Sequence, residues 1–206
     1  RELAGNLRAV AATPVLARFL LTFLLYNMAV QTVLNMSTDF GINELKLESG
    51  QLIGVLLAIQ VIAVPGALLF GRLSERRGNI AALILLVGLW MAVVVAAYFV
   101  QTAGQFYALA AAVGLIMGGV QSVSRATYTK LVPARLASNA SIFSFYGVVD
   151  KVAIILGTFT FARVLQATGS MRQAILFVIA FLAGGLVLLL ATRWRRHLAP
   201  PAAAQA

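Results

Sequence analysis

Six long apolar runs separated by short polar segments organise the 206 residues of this chain. They lie near 15–36, 50–71, 80–100, 105–125, 140–162 and 172–192, and each reaches the roughly 20 mostly apolar residues that a helix needs to cross a hydrocarbon core of ~30 Å. The third run, Ile80 to Val100, carries no charge. The fourth turns polar towards its end, and the fifth holds Asp150 and Lys151 side by side. All six are too long and too continuous for the alternating segments of about ten residues that build an outer-membrane barrel. The pattern predicts an all-α membrane protein, a bundle of six transmembrane helices.

Composition agrees with the pattern. Of the residues, 61% are hydrophobic and 11% charged, where an ordinary soluble domain has about a quarter charged. The net charge of +10 raises the question of nucleic acid, which the placement of the charges answers. The segment before the first run (Arg1, Arg8, with Arg18 at its edge), the second connection (Arg72, Arg76, Arg77), the fourth (Arg125, Lys130, Arg135) and the tail from 193 to 206 (Arg193, Arg195, Arg196) hold 12 of the 16 basic residues. All of these fall on one side of a six-span topology. By the positive-inside rule that side is cytoplasmic, as are both termini. The excess charge is topological, and no nucleic-acid partner is expected, because a basic binding domain needs a soluble surface to carry it. There is no cysteine, which removes disulfides and thiolate metal sites; no metal or cofactor is expected. The chain opens on Arg1 rather than Met, so a further segment upstream is expected.

The second connection reads GRLSERRGN, from Gly71 to Asn79. It resembles the loop signature of the major facilitator superfamily, in which a glycine is followed by an acid, an arginine and a second glycine. Gly71, Glu75, Arg76 and Gly78 match, with Glu75 for the more usual aspartate and Asn79 where a base is common. In that signature the first glycine lets helix ends approach closely, and the acid pairs with a base on a neighbouring helix to hold one face shut. Read without the resemblance, the segment is an ordinary basic loop. The resemblance extends further, through FLLYNMAVQTVLNM (23–36), GQLIGVLLAIQVIAVPGALLFGRLSERRG (50–78), GLIMGGVQSVSRATY (114–128) and FYGVVDKVAIILG (145–157). In order and spacing these are similar to the C-terminal half of the "unknown major facilitator" family, relatives of the fungal autophagy-associated vacuolar amino-acid exporters.

The resemblance implies half of a facilitator fold. Residues 1–14 would end a central cytoplasmic linker, and 15–192 would be helices seven to twelve of a secondary transporter in a bacterial cytoplasmic membrane. The solute, an amino acid by analogy, would pass between this half and a missing N-terminal half, or a second copy, by alternating access. One departure matters: the family tends to read Tyr-Asn-Asp-Gly in the first of these helices, and this chain reads Tyr26-Asn27-Met28-Ala29, which puts in question any coupling role of that carboxylate.

Physical chemistry singles out the same region. Asp150 lies ten residues into the fifth span, about 15 Å at 1.5 Å per residue, near the middle of the core. An ionised residue there costs on the order of 2.5–3.5 kcal/mol on insertion scales, and such residues face a bundle interior or a wet cavity. Neighbours in a helix point about 100° apart, so Asp150 and Lys151 are expected to be directed separately, at least one towards another helix. Either can meet a charged solute group or exchange a proton; either can also be structural, with Lys151 snorkelling. Lys151 is the stronger candidate, because the resembled family often has a lysine there. Tyr26, Asn27 and Gln31 lie at similar depth in the first span, with Asn27 and Gln31 sharing a face. Buried amides must find partners, lining a polar path or stapling helices. Gln60 sits mid-span before Pro65-Gly66, which loosens its helix as a hinge or a static kink. In the fourth span Gly114-x-x-x-Gly118 permits close packing. Gln121 and Arg125 follow on one face as gate candidates, Arg125 a partner for Glu75 or simply a basic anchor.

Catalysis has little to stand on. An intramembrane serine protease needs a histidine inside the bundle, and the only one, His197, lies in the tail; no His-Glu-x-x-His or phosphate loop occurs. A non-transporting six-helix scaffold remains the alternative to a transporter, but it would have no need of a charge at mid-membrane.

Overall fold

A computed structural model describes residue 10 and residues 12–43, 45–133 and 140–192. Most of the linker expected over 1–14, the tail over 193–206, and with them Arg1, Arg8, Arg135, Arg193, Arg195, Arg196 and His197, lie outside the described residues. The described residues form six helices and no strand: α1 Pro14–Asn43, α2 Ser49–Arg77, α3 Asn79–Phe99, α4 Ala103–Leu131, α5 Ala140–Thr168 and α6 Met171–Ala191. All six are long and apolar enough to cross a membrane.

Four helices outrun the apolar windows. α1, α2, α4 and α5 have 29 or 30 residues, about 44 Å at 1.5 Å per residue, whereas α3 and α6 have 21. Hydropathy marks where the chain meets hydrocarbon, but the helix continues into polar residues until a cap or a turn stops it. Starts are set by capping side chains: Thr102 accepts from the Gln105 N–H at 3.3 Å, with the Gln105 side chain returning to the Thr102 backbone, and Ser170 accepts from Gln173. Each satisfies an otherwise orphaned first-turn amide. The segment expected as a loop over 71–79 is helical through Arg77, and the whole reversal into α3 is made at Gly78. Its φ of 89° is a backbone setting that only glycine adopts without strain.

The short turns make neighbouring helices alternate in direction. One end of the bundle therefore gathers Arg18, Arg72, Arg76, Arg77, Arg125 and Lys130; we call it the basic end. The most extensive packing joins α2 to α4, followed by α1 on α6 and α5, and α3 on α6 and α4. In α2 and α4 the backbones touch. A Cβ built on Gly118 would collide with the Ala63 carbonyl, one on Gly66 with the Leu115 carbonyl, and one on Gly114 would come 2.8 Å from the Ile59 oxygen. These contacts, at Ile59, Ala63 and Gly66 of α2, flank Pro65, so the helix around the proline is held against α4. At Gly71 no close approach is made within this half: among the described residues nothing lies within 4 Å of a Cβ built there. Burial is uneven. In the most apolar window, 56% of α1 is buried but only 17% of α2 and 22% of α5. Those two helices turn broad apolar faces outward, including Val61, Val64 and Leu68 on α2 and Ile155 and Phe159 on α5.

Candidate functional site

The site is built where α1 meets α5. Asn27 is buried, 4% exposed, on the α1 face turned towards α5, and its side-chain amide donates to Oδ1 of Asp150 at 2.8 Å. Gln31, one turn further along the same face, donates to the same oxygen at 3.0 Å. The i, i+4 spacing sets both amides above one another, so two donors converge on one acceptor. Hydrogen bonds to a charged group are worth about 1.5–3 kcal/mol each. Two of them offset the insertion cost of about 2.5–3.5 kcal/mol for a carboxylate at this depth. The carboxylate is thus stabilised, and oriented, from the neighbouring helix.

Lys151 corrects part of the expectation. Its Nζ approaches Oδ2 of Asp150 at 3.6 Å, although the two residues leave the helix about 100° apart. A four-carbon stem is long enough to curl back around the helix. The pair is loose and asymmetric: the Lys151 side chain is 75% exposed, that of Asp150 25%. It is the ion pair formed among the described residues.

One turn towards the basic end the same two helices repeat the contact in apolar form. Phe23, four residues before Asn27, stacks on Tyr146, four residues before Asp150, with ring centroids 4.3 Å apart. Tyr26 stands edge-on to Phe23 at 5.6 Å and Tyr128 of α4 lies 5.2 Å from Tyr146. Polar tips fasten this aromatic floor: the Tyr26 hydroxyl and Ser124 Oγ are 2.7 Å apart and fully buried, and the Tyr128 hydroxyl donates to the Ile142 carbonyl at 2.6 Å. Beyond the carboxylate, Gly157 admits α1 closely; a Cβ there would lie 2.5 Å from Thr32 Oγ1 and 2.6 Å from the Met28 carbonyl. Met28 itself is buried, so the position where the resembled family carries an acid is apolar packing here.

Of the residues singled out in the sequence, Asn27, Gln31, Asp150 and Lys151 therefore come together, with Tyr26 one layer below. Gln60 does not join them: it is exposed on α2, away from this contact. The gate candidates stay apart as well. Glu75, Arg76 and Arg125 are exposed and Gln121 half-buried, and among the described residues no ion pair joins Glu75 to Arg125. The polar tie at the basic end is made by other residues: Lys130 donates to Asn79 Oδ1 at 2.9 Å, and the Asn79 amide donates to Thr127 at 3.1 Å, fastening the start of α3 to the end of α4. Asn79, where the signature commonly has a base, thus receives one from another helix. Sequence reasoning missed Ser124, Tyr128, Tyr146 and this tie. The four-residue spacing of Ser124 and Tyr128 was the available signal.

A family model described as "Vacuole effluxer Atg22 like" matches residues 1–199. The chain belongs to the Atg22-like family. It is 33% identical over 189 residues to an uncharacterized MFS-type transporter, YxiO, of Bacillus subtilis, covering 92% of this chain and 44% of that protein. It is 26% identical over 175 residues to autophagy-related protein 22 of Kluyveromyces lactis, covering 80% of this chain and 35% of that one, and 25% identical over 185 residues to the protein of the same name in Cryptococcus neoformans. This Atg22-like chain spans less than half the length of these curated relatives. No solved structure gives a significant match. Family and helices together make it an integral membrane protein of a transporter family.

Proposed function

We propose that the chain is one six-helix half of a secondary transporter, moving a small solute across a bacterial cytoplasmic membrane by alternating access, with both termini cytoplasmic. The observation that carries this reading is the Asp150 node. A carboxylate expected at mid-membrane depth is fixed by two amides of α1 yet remains 25% exposed. A scaffold has no use for such a group; a solute path does. The exposed apolar faces of α2 and α5 suit a second six-helix bundle, either an N-terminal half of the same polypeptide or another copy, with the path running between them along α1, α4 and α5. The locked α2–α4 pair favours rocking of this half as a unit over bending at Pro65. Amino acids are the first solutes to try, on the strength of the family resemblance, and proton coupling is the first coupling to try.

The test is counterflow of each of the twenty amino acids in proteoliposomes holding the assembled transporter, for wild type, Asp150→Asn and Asn27→Ala. The reading expects at least one solute to be carried, and both variants to insert normally while losing most of that flux. Undiminished flux in Asp150→Asn would remove the node from the path.

A further inference from the structure

We propose that Lys151 is a tethered placeholder for a primary ammonium group on Oδ2 of Asp150: a ligand's ammonium takes this position, and Lys151 fills it between ligands. The inference rests on the transport reading and assigns Lys151 a role opposite to that of a solute-binding residue.

The two carboxylate oxygens are treated differently. Oδ1 receives both amides, at 2.8 and 3.0 Å, which fills its two lone-pair directions. Oδ2 has only Lys151, at 3.6 Å, well outside the 2.7–2.9 Å of a charge-assisted bond. The carboxylate is therefore rigidly held on one side and loosely occupied on the other. The loose occupant is also the free one: three-quarters of the Lys151 side chain is exposed, and no hydrogen bond to its ammonium is seen among the described residues.

Helix geometry shows where it can go. At 100° per residue, Ser144, Gly147 and Lys151 fall on one strip of the exposed side of α5, next to Asp150. Ile155, Val148, Phe159 and Val152 follow round the helix on the side of Lys151 away from Asp150, an adjoining apolar strip of the face that suits a second bundle. Lys151 belongs to this polar strip, with Gly147 between it and Asp150, so it can leave Oδ2 towards its own exposed face.

The charges around the node give a ligand cation one destination. α1 turns only the neutral Tyr26, Asn27 and Gln31 this way, α4 has the cationic Arg125 and the neutral Tyr128, and α5 adds Tyr146 and Lys151; the remaining described acids, Asp39, Glu48 and Glu75, sit at helix ends or in connections. Exchanging one ammonium for another keeps a cation on Oδ2 throughout, and the displaced lysine keeps its charge on the exposed face of α5. The carboxylate is never bare in the membrane, empty or loaded, and the displacement is correspondingly easy.

The test is chemical rescue with ethylammonium, a free copy of the lysine head, on the assembled transporter in detergent, with sodium chloride to match ionic strength. Melting temperature is followed against ethylammonium concentration. In wild type the probe must displace a tethered amine whose effective concentration is in the millimolar range or above. Lys151→Ala and Lys151→Met should therefore bind it on the order of tenfold more tightly than wild type. Asp150→Asn/Lys151→Ala should not respond, and tetramethylammonium, which has no N–H, should stabilise none of them. Equal response in wild type and both lysine variants, or a response surviving in the double variant, overturns the proposal. If no solute is transported but the rescue runs through Asp150, the placeholder stands and the transport reading falls; flux without rescue gives the converse.

Discussion

Replacing Gly118 with alanine puts one methyl group where the backbone of α2 already lies. The Cβ would collide with the Ala63 carbonyl, and neither partner is a flexible side chain that can swing aside. The helices must separate over the stretch from Ile59 to Phe70. Overpacking of this kind costs about 1–3 kcal/mol, and loss of the close Cα–H to carbonyl contacts adds about 0.5–1 kcal/mol each, so a loss of about 2–3 kcal/mol is expected. Gly66→Ala, which meets the Leu115 carbonyl, should cost a similar amount. The double variant should cost less than the sum, because one separation relieves both clashes. Gly71 supplies the contrast: it is inside α2 with none of the described residues within 4 Å of its built Cβ, and alanine there should stabilise by about 0.5–1 kcal/mol. The spread of about 3 kcal/mol is roughly a hundredfold in the folding equilibrium. SDS-driven unfolding in mixed micelles, followed by far-ultraviolet circular dichroism, resolves it. If Gly118→Ala is as stable as Gly71→Ala, the backbone interlock is absent and Pro65 is free to act as a hinge.

Three further substitutions probe other parts of the bundle in the same assay. Tyr26→Phe removes its hydrogen bond to the buried Ser124 hydroxyl, which keeps Tyr146 as a partner, and should cost about 0.5–1.5 kcal/mol. Trp90 is fully buried and its Nε1 has no hydrogen-bond partner among the described residues; Trp90→Phe removes that orphan donor and should change stability by less than about 1 kcal/mol, where truncating a core tryptophan to alanine costs about 3–5 kcal/mol. A large loss in Trp90→Phe would mean that the indole N–H is satisfied after all. Thr102→Ala removes the α4 cap and should cost about 1 kcal/mol, with Thr102→Ser retaining most of the stability.

The six helices were legible because hydrocarbon imposes a long, unambiguous pattern, and their order and number follow from it. Their ends were not, since residues such as Gly71 to Arg77 are polar but still helix-competent and only Gly78 breaks the run. Asn27 and Gln31 could be placed on one face, and Asp150 at a depth that demands a partner, from one-dimensional geometry alone. That these three meet each other required the packing of α1 on α5, which no local spacing encodes. The same limit explains the Lys151 correction: the 100° rule describes Cβ directions, whereas a long side chain reaches well beyond its own. The family resemblance brought out the signature around Gly71, but within this half its gating partners stay apart, and the tie at that end is made by Asn79, Thr127 and Lys130 instead.

The absence of cysteine from the chain permits the most direct test of whether the Asp150 face lines a solute path. Single cysteines are placed along α5 in the assembled transporter and exposed to a membrane-impermeant thiol reagent, with modification counted by mass spectrometry. Cysteines at 144, 147 and 151 should react readily and be protected by a transported solute, while those at 152 and 159, further round the helix, should remain unmodified. Equal reactivity on the two strips, or an inert strip at 144, 147 and 151, would contradict a water-accessible path beside Asp150.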